Sequence, residues 1–299
     1  MIEFRQLNSS STVSDMKRIA LFPLLALCVH LSDSPTSAAE STNAKPAIIS
    51  VADIVYGRLL GAGLLTDMAF PKTTNQVPAI LSVHGGRWRS GHKRDSSAIK
   101  VDQWAELGFF AMSIDYRLVD CTPAPACYQD LQCAIRFIHA NAMDFNIDTN
   151  RIYLIGQSAG GHLVSLAATL GDGPWKRTGG WEKSTNAFRA AISVAACYEL
   201  PSLSWGNIWS PDGQNLLESR RLASPIYHVR RDMKPLMILH ADNDQSVPIA
   251  NALLMVDALK KAEADFVFHR YADAGHMGIT QEVIDRTLEF IRRVEAEGR

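Results

Sequence analysis

The chain has 299 residues, which is enough for one large α/β domain or two small ones. Its 31 acidic and 30 basic residues nearly cancel, and 47% of its residues are hydrophobic. This composition excludes an intrinsically disordered or low-complexity chain, and it removes any global electrostatic attraction to nucleic acid or to an anionic membrane. Five cysteines are too few for a disulfide scaffold of this size.

The N-terminal residues have the pattern of an export signal. Basic residues precede an apolar stretch at 19–29, and Ser-Ala-Ala at 37–39 provides the small side chains that a signal peptidase recognises. The apolar stretch is shorter than the roughly 20 residues that span a bilayer, so no stable membrane anchor is predicted. We expect Met16 to be the true start, residues 1–39 to be an over-extended start plus a cleaved signal, and residues 40–299 to be secreted or periplasmic.

Export affects the interpretation of the cysteines, because disulfides persist in oxidising compartments. Four cysteines lie beyond the signal, and they allow three pairings. Cys121 and Cys127 flank a short, proline-containing loop and are the candidate disulfide. Cys133 and Cys197 are expected to be buried thiols.

From residue 47 onward, strand-like and helix-like patterns alternate. Two short runs separated by glycines, 47–56 and 64–70, predict an opening β-hairpin. Apolar runs typical of buried parallel strands follow at residues 78–83, 109–114, 151–155, 187–194, 236–240 and 266–271. Helical patterns lie between and after them, at residues 99–107, 128–143, 162–170, 249–262 and 280–297. The alternation predicts an α/β domain with a mostly parallel sheet and helices on both faces.

Residues 198–234 interrupt this alternation. A segment that long predicts a lid or a pocket wall rather than a simple loop. It contains Trp205 and Trp209, which are candidates to stack on a sugar or an aromatic acyl group, or else to pack within the protein.

Residues 156–160 read Gly-Gln-Ser-Ala-Gly, which matches the Gly-x-Ser-x-Gly pattern between a predicted strand and a predicted helix. In a nucleophile elbow, this turn presents the serine hydroxyl at the carboxyl end of the sheet. Ser158 is therefore the candidate nucleophile. The alternative is an ordinary glycine-rich turn between a strand and a helix.

A nucleophilic serine needs a base, and the base needs an acid that orients it. Asp244 and His276 each follow a later predicted strand, in the chain order Ser, Asp, His of α/β hydrolases. Loops after parallel strands meet at one edge of the sheet, so we expect these side chains to lie together. Asp242 is the competing acid.

The segment beginning at His84 reads His-Gly-Gly-Arg-Trp and is the candidate oxyanion loop. Backbone amides of Gly86, Arg87 and Ala159 are the predicted donors to a tetrahedral oxyanion. The basic run 87–94 begins at this loop. It is either a solvated loop or a site where Arg87 or Arg89 binds a substrate carboxylate, and Trp88 is a further candidate for stacking or packing.

Taken in order, five motifs resemble those of the hormone-sensitive-lipase-like α/β-hydrolase esterases, in particular the exported bacterial feruloyl- and acetyl-xylan-esterase-like (BD-FAE-like) group. The motifs are His84-Gly-Gly, Asp115-Tyr-Arg, Gly156-Gln-Ser-Ala-Gly-Gly-His-Leu, His240-x-x-x-Asp-x-x-Val-Pro and Gly275-His. The resemblance implies the α/β-hydrolase fold, with Ser158 as nucleophile, Asp244 as acid and His276 as base. Arg87 departs from the family pattern, because many members have a third glycine there.

The expected function is hydrolysis of short-chain carboxylic esters, such as acetyl or feruloyl esters of plant polysaccharide, by a single domain spanning residues 40–299. An amidase or peptidase of the same fold, similar to arylformamidases or acyl-peptidases, is the alternative, followed by an inactive binding protein. Phosphate-loop and His-Glu-x-x-His motifs are absent from the sequence, so no cofactor or metal is predicted. The expected partner is a small-molecule or carbohydrate ester and not nucleic acid, and the sequence does not indicate an oligomeric state.

Overall fold

A computed structural model describes residues 46–203, 209 and 215–298. Its strands are β1 (Ile48–Leu59), β2 (Ala62–Pro71), β3 (Val77–Val83), β4 (Phe110–Ile114), β5 (Ile147–Gln157), β6 (Ala190–Val194), β7 (Leu236–Ala241) and β8 (Phe266–Tyr271). They form one sheet in the order β1-β2-β4-β3-β5-β6-β7-β8. The pairs β1–β2 and β2–β4 are antiparallel, whereas β4–β3 and all later neighbours are parallel. The predicted α/β-hydrolase sheet is confirmed.

The opening hairpin turns within two residues. Leu59 pairs with Ala62, and the intervening Leu60 and Gly61 have φ angles of +46° and +85°. Positive φ at both central positions matches the right-handed twist of the flanking strands. The predicted opening hairpin is confirmed, and it forms the antiparallel edge of the sheet.

The helices are α1 (Val101–Glu106), α2 (Ala126–Ala140), α3 (Ala159–Leu170), α4 (Leu216–Leu222), α5 (Ile249–Lys261) and α6 (Gln281–Ala296). Side chains of α2, α3 and α5 join one apolar core, and those of α1 and α6 join a second. Neighbouring residues of β3 divide between the two: Leu81 belongs to the first core and Ile80 to the second. Because successive side chains of a strand point to opposite faces, the sheet is covered by helices on both sides.

The sequence patterns missed α4, a short helix within the segment 198–234. The Asn215 side chain caps it by accepting hydrogen bonds from the amides of Leu217 and Glu218. The parts of this segment at 204–208 and 210–214, including Trp205, lie outside the described residues, as do the predicted signal and Met16.

The predicted disulfide between Cys121 and Cys127 is wrong for this structure, because both thiols are free. Cys121 is exposed, whereas Cys127 is buried in the first turn of α2 and belongs to the core on that side of the sheet. Cys133 and Cys197 are buried thiols as expected, and burial raises the pKa of each to about 12.

No helix among the described residues is both long enough and apolar enough to cross a membrane.

Candidate functional site

Ser158 lies in the sharp turn between β5 and α3, with φ at +53°. A side chain at Gly156 would come within 2.3 Å of the Gly160 backbone, and one at Gly160 within 2.0 Å of the Val83 carbonyl oxygen. Strand and helix therefore approach so closely that only glycine fits at either position. This is the strained geometry of a nucleophile elbow, and it explains the spacing of the motif.

Ala159 is the first residue of α3 and follows Ser158 directly. The first amides of a helix have no acceptor within the helix, and the helix dipole places partial positive charge there. The next turn is anchored by the His162 amide, which donates to the Ser158 carbonyl oxygen at 2.9 Å. The start of α3 can therefore stabilise negative charge that develops near the serine.

Asp244 and His276 form a close pair in the loops after β7 and β8. The Nδ1 atom of His276 lies 2.8 Å from Oδ2 of Asp244. The other carboxylate oxygen accepts hydrogen bonds from the amides of Ser246 and Val247, at 2.8 and 2.9 Å. Burial alone would raise the pKa of Asp244, but the hydrogen bonds from His276 and these two amides outweigh it and lower the pKa below its usual value.

Two nearby residues occupy structural positions instead. Asp242, the competing acid, forms an ion pair with Arg270 at 2.6 Å. His240 is fully buried, and its Nε2 atom lies 2.8 Å from the carbonyl oxygen of Val247. Burial lowers the pKa of His240, so it is neutral at pH 7. The geometry thus favours Asp244 over Asp242 as the partner of His276.

The oxyanion loop is held through the carbonyl groups of two consecutive peptides. The Gly85 carbonyl oxygen accepts a hydrogen bond from the Tyr116 hydroxyl at 3.1 Å, and the Gly86 carbonyl oxygen accepts from the amides of Arg89 and Ser90, both at 3.0 Å. In a trans peptide the N–H points opposite to the C=O. The N–H groups of Gly86 and Arg87 therefore point away from these contacts.

Glycine is required within this loop. Gly86 has φ at +101°, and a side chain there would come within 2.1 Å of the Ser90 carbonyl oxygen. The Gly85 amide is engaged separately, since it donates to the Ser97 hydroxyl at 2.8 Å. The amides of Gly86 and Arg87 thus remain the candidate oxyanion donors of this loop.

The motif residue before the serine, Gln157, has a role that the sequence patterns missed. Its buried side chain donates from Nε2 to the carbonyl oxygen of Met277, the residue after His276, at 2.8 Å. A side chain at Gly85 would come within 2.3 Å of the Gln157 Oε1 atom. Gln157 therefore joins the nucleophile turn to both the histidine loop and the oxyanion loop. The motif treats this position as variable, so only its contacts reveal the role.

Ser158 and His276 line the same cavity, whose volume is about 820 Å³. Its described lining residues are Gly86, Arg87, Arg89, Ser90, Ser96, Ser97, Gln157, Ser158, Ser246, Val247, His276 and Gly278. Val247 is the only residue in this set with an aliphatic side chain. The described wall thus carries mostly polar side chains, and it contains the predicted nucleophile, base and loop donors together.

The basic run divides into two parts. Lys93 is buried and forms ion pairs with Asp53 and Asp115, each at 2.9 Å. Arg94 forms ion pairs with Asp53 and Asp67. These contacts tie the run to β1, β2 and the end of β4, so the second half of the run is structural.

The first half of the run borders the cavity. Arg87 and Arg89 both line it, and both are exposed. Arg89 donates from Nε to Asp120 at 3.0 Å. Arg87 and Arg89 are thus solvated, as a surface loop would be, but they also border the cavity that contains Ser158.

The tryptophans within the described residues do not line this cavity. Trp88 and Trp209 are fully buried. Both stand edge-on to the ring of His162, with centroid distances of 5.0 and 5.3 Å. The predicted stacking on substrate is thus wrong for these two residues, which pack in the core, while Trp205 lies outside the described part of the chain.

Within residues 46–203, 209 and 215–298, no group of three or more His, Cys, Asp or Glu side chains is placed to hold a metal ion.

Comparison with known proteins shows consistent similarities. The family model described as BD-FAE matches residues 66–259. The probable carboxylic ester hydrolase LipM of Mycobacterium tuberculosis is 30% identical over 257 residues, covering 77% of this chain and 59% of that protein. Esterase LipQ of the same organism is 28% identical and covers 75% of this chain and 56% of that protein. The chain therefore spans between half and two thirds of the length of these relatives.

Solved structures share the fold. A truncated carbohydrate esterase from gut microbiota matches with a TM-score of 0.70 and 24% identity, covering 84% of this chain and 100% of that chain. The acetyl ester-xyloside bifunctional hydrolase of Caldicellulosiruptor lactoaceticus matches with a TM-score of 0.67 and 24% identity, covering 87% of this chain and 99% of that chain. At these identities the similarity establishes the α/β-hydrolase fold.

Proposed function

Because the chain belongs to the BD-FAE family, we propose that it hydrolyses carboxylic esters with Ser158 as nucleophile, His276 as base and Asp244 as the orienting acid. One observation carries the proposal: the ionised Asp244 binds His276 at the cavity that also contains the strained Ser158. The curated relatives named as ester hydrolases support the same reaction.

The contact between Asp244 and His276 determines where the proton on the imidazole lies. A carboxylate can only accept a hydrogen bond, so the proton is on Nδ1 and the lone pair is on Nε2. Nε2 takes the hydroxyl proton of Ser158 while Oγ attacks the ester carbonyl carbon. The imidazolium that forms is stabilised by the negative charge of Asp244.

Negative charge then develops on the former carbonyl oxygen. The amides of Gly86, Arg87 and Ala159 donate hydrogen bonds to it, at no cost in reorganisation because the loop and the helix already hold them. His276 returns the proton to the leaving alcohol, and an acyl-serine remains. Water activated by His276 hydrolyses the acyl-serine and releases the acid.

The substrates we propose are short-chain esters, such as acetyl or feruloyl esters of plant polysaccharide, outside the cytoplasm. The described lining residues support a small acyl group, because Val247 is the only one of them with an aliphatic side chain. The names of the matching carbohydrate esterase and acetyl ester-xyloside hydrolase support a sugar ester. The signal-like segment before residue 40 supports export.

Replacing the nucleophile tests the reaction. Ser158→Ala should lower kcat for 4-nitrophenyl acetate by at least about 1,000-fold and abolish labelling by a fluorophosphonate probe, because the attacking oxygen is lost. Ser184→Ala, outside the cavity, is the matched control and should keep both properties. Full turnover by Ser158→Ala would refute the assignment, and faster cleavage of a matched anilide than of the ester would favour an amidase.

A further inference from the structure

The cavity that contains Ser158 and His276 has cationic side chains on its wall. Arg87 and Arg89 line it, and no Asp or Glu is among the described residues that line it. An esterase for simple neutral substrates needs no cation at this place. The charge therefore points to a feature of the substrate.

Arg89 differs in its contacts from Lys93 and Arg94 of the same run. Lys93 and Arg94 are bound by carboxylates of β1, β2 and β4 and line a different cavity. Arg89 has one carboxylate partner, Asp120, and both side chains of that pair are 54% exposed. Exposed ion pairs of this kind contribute about 0–1 kcal/mol of stabilisation, so the pair with Asp120 does not prevent Arg89 from binding an anion.

The contact with Asp120 leaves much of the guanidinium available. Asp120 accepts from Nε, and a guanidinium has five N–H donors in a planar fork. The donors on the two terminal nitrogens can bind the two oxygens of a second carboxylate. Asp120 thus orients Arg89 rather than occupying it.

Other lining side chains can also bind polar groups of a ligand. Hydroxyl groups of Ser90, Ser96 and Ser246 are found along the wall, and Val247 is the single aliphatic side chain larger than glycine in the described set. A long alkyl group would displace water from these hydroxyls and offer them no hydrogen bond in return, which is unfavourable. An ester that bears both hydroxyl groups and a carboxylate matches the wall better.

We infer that the site takes esters carrying a carboxylate in addition to the scissile ester, such as an acylated sugar acid, and that Arg89, assisted by Arg87, binds that carboxylate. The inference rests on the proposed ester hydrolysis and names its substrate class. It assigns to Arg89 the choice between acidic and neutral substrates.

The test compares acidic substrates with their methyl esters, in which the carboxylate charge is removed and one methyl group is added. 4-Acetoxybenzoate and methyl 4-acetoxybenzoate carry the charge difference on the alcohol side, and mono-4-nitrophenyl adipate and its methyl ester carry it on the acyl side. We expect Arg89→Gln to lower the acidic-to-neutral ratio of kcat/KM roughly tenfold in at least one pair, because a charge-assisted bidentate contact is lost. Arg89→Lys should retain part of the ratio, since it keeps the charge but not the fork.

Arg286→Gln is the matched control, because it removes the same charge from α6 at a residue that pairs with Glu282 and Glu289. It should leave the ratio unchanged. Raising the ionic strength from about 20 mM to about 500 mM should lower the wild-type ratio by screening the exposed guanidinium. If Arg89→Gln leaves the ratio unchanged in both pairs, the inference is wrong.

A binding measurement separates this inference from the proposed reaction. Ser158→Ala protein should bind 4-acetoxybenzoate more tightly than its methyl ester in calorimetry, and Arg89→Gln in that background should remove the difference. This measurement needs no turnover. Absence of ester hydrolysis by the wild type would overturn the proposed function, whereas equal binding of the two ligands would overturn the inference.

Discussion

At the scale of single residues, Tyr116 shows how buried hydroxyl groups hold the candidate oxyanion loop. Its hydroxyl lies 3.2 Å from the carbonyl oxygen of His84 and 3.1 Å from that of Gly85, and its ring stacks on the His84 ring at 4.2 Å. Burial raises the pKa of Tyr116, so the hydroxyl keeps its proton and donates. The peptide that carries the Gly86 amide is therefore held by the Tyr116 hydroxyl together with the His84 ring, whose Nδ1 atom lies 2.7 Å from the Gly85 carbonyl oxygen.

Tyr116→Phe should lower kcat roughly tenfold with a smaller change in KM, because the loop amides then match the oxyanion less well while the ground-state contacts persist. Steady-state kinetics with 4-nitrophenyl acetate measures both parameters. Tyr153→Phe is the matched control, since it also removes a tyrosine hydroxyl, one bonded to Glu295. An equal loss of kcat in both variants would show that the effect is general destabilisation rather than loop positioning.

At the scale of elements, the close approach of α3 to β3 and β5 brings the nucleophile turn beside the oxyanion loop. Gly160 lies against the carbonyl oxygens of Val83 and His84, at the end of β3. No side chain can be added there unless α3 moves away from the sheet. The Gly160 contact therefore helps to set the distance between Ser158 and the loop amides.

Gly160→Ala should destabilise the fold by about 2 kcal/mol and reduce activity more than its loss of folded protein explains, because the added methyl group meets backbone rather than a movable side chain. Urea unfolding gives the stability, and active-site titration with a fluorophosphonate gives the competent fraction. Gly63→Ala is the control: its methyl group would lie 3.2 Å from the tip of Val55 on the hairpin. Wild-type stability and kcat in Gly160→Ala would contradict the close contact.

At the scale of the whole molecule, buried neutral histidines link stability to pH. Burial lowers the pKa values of His84, His162 and His240, and that of His162 falls to about 4 despite its hydrogen bond to the Ala223 carbonyl oxygen. A histidine in the unfolded chain has a pKa near 6.5. Between these two values the unfolded chain binds a proton that the folded protein excludes.

The free energy of unfolding should therefore be highest above about pH 6.5 and fall as the pH is lowered toward 4, with His162 contributing up to about 3 kcal/mol of the loss. Urea midpoints measured across this range test the slope. His162→Gln, which cannot titrate, should show a shallower decline than the wild type, whatever its stability at pH 7. Parallel slopes for the two proteins would contradict the neutral, buried state of His162.

Much of the architecture could be predicted from local patterns, because strand and helix periodicity and the Gly-x-Ser-x-Gly turn are properties of neighbouring residues. The positions of the eight strands along the chain, and of Ser158, Asp244 and His276 in the loops after β5, β7 and β8, were predicted from the sequence; the order of the strands in the sheet was not. The helix α4 was missed, since its seven residues are too few for a clear period.

The tertiary structure decided which side chains are partners, because those contacts join residues far apart in the chain. It paired His276 with Asp244 and gave Asp242 to Arg270. It left Cys121 and Cys127 unbridged. Trp88 packs in the core against His162 of α3, whereas the neighbouring Arg87 and Arg89 line the cavity. Composition and spacing determined the fold and the candidate chemistry, and the choice of substrate depends on side-chain positions that only packing sets.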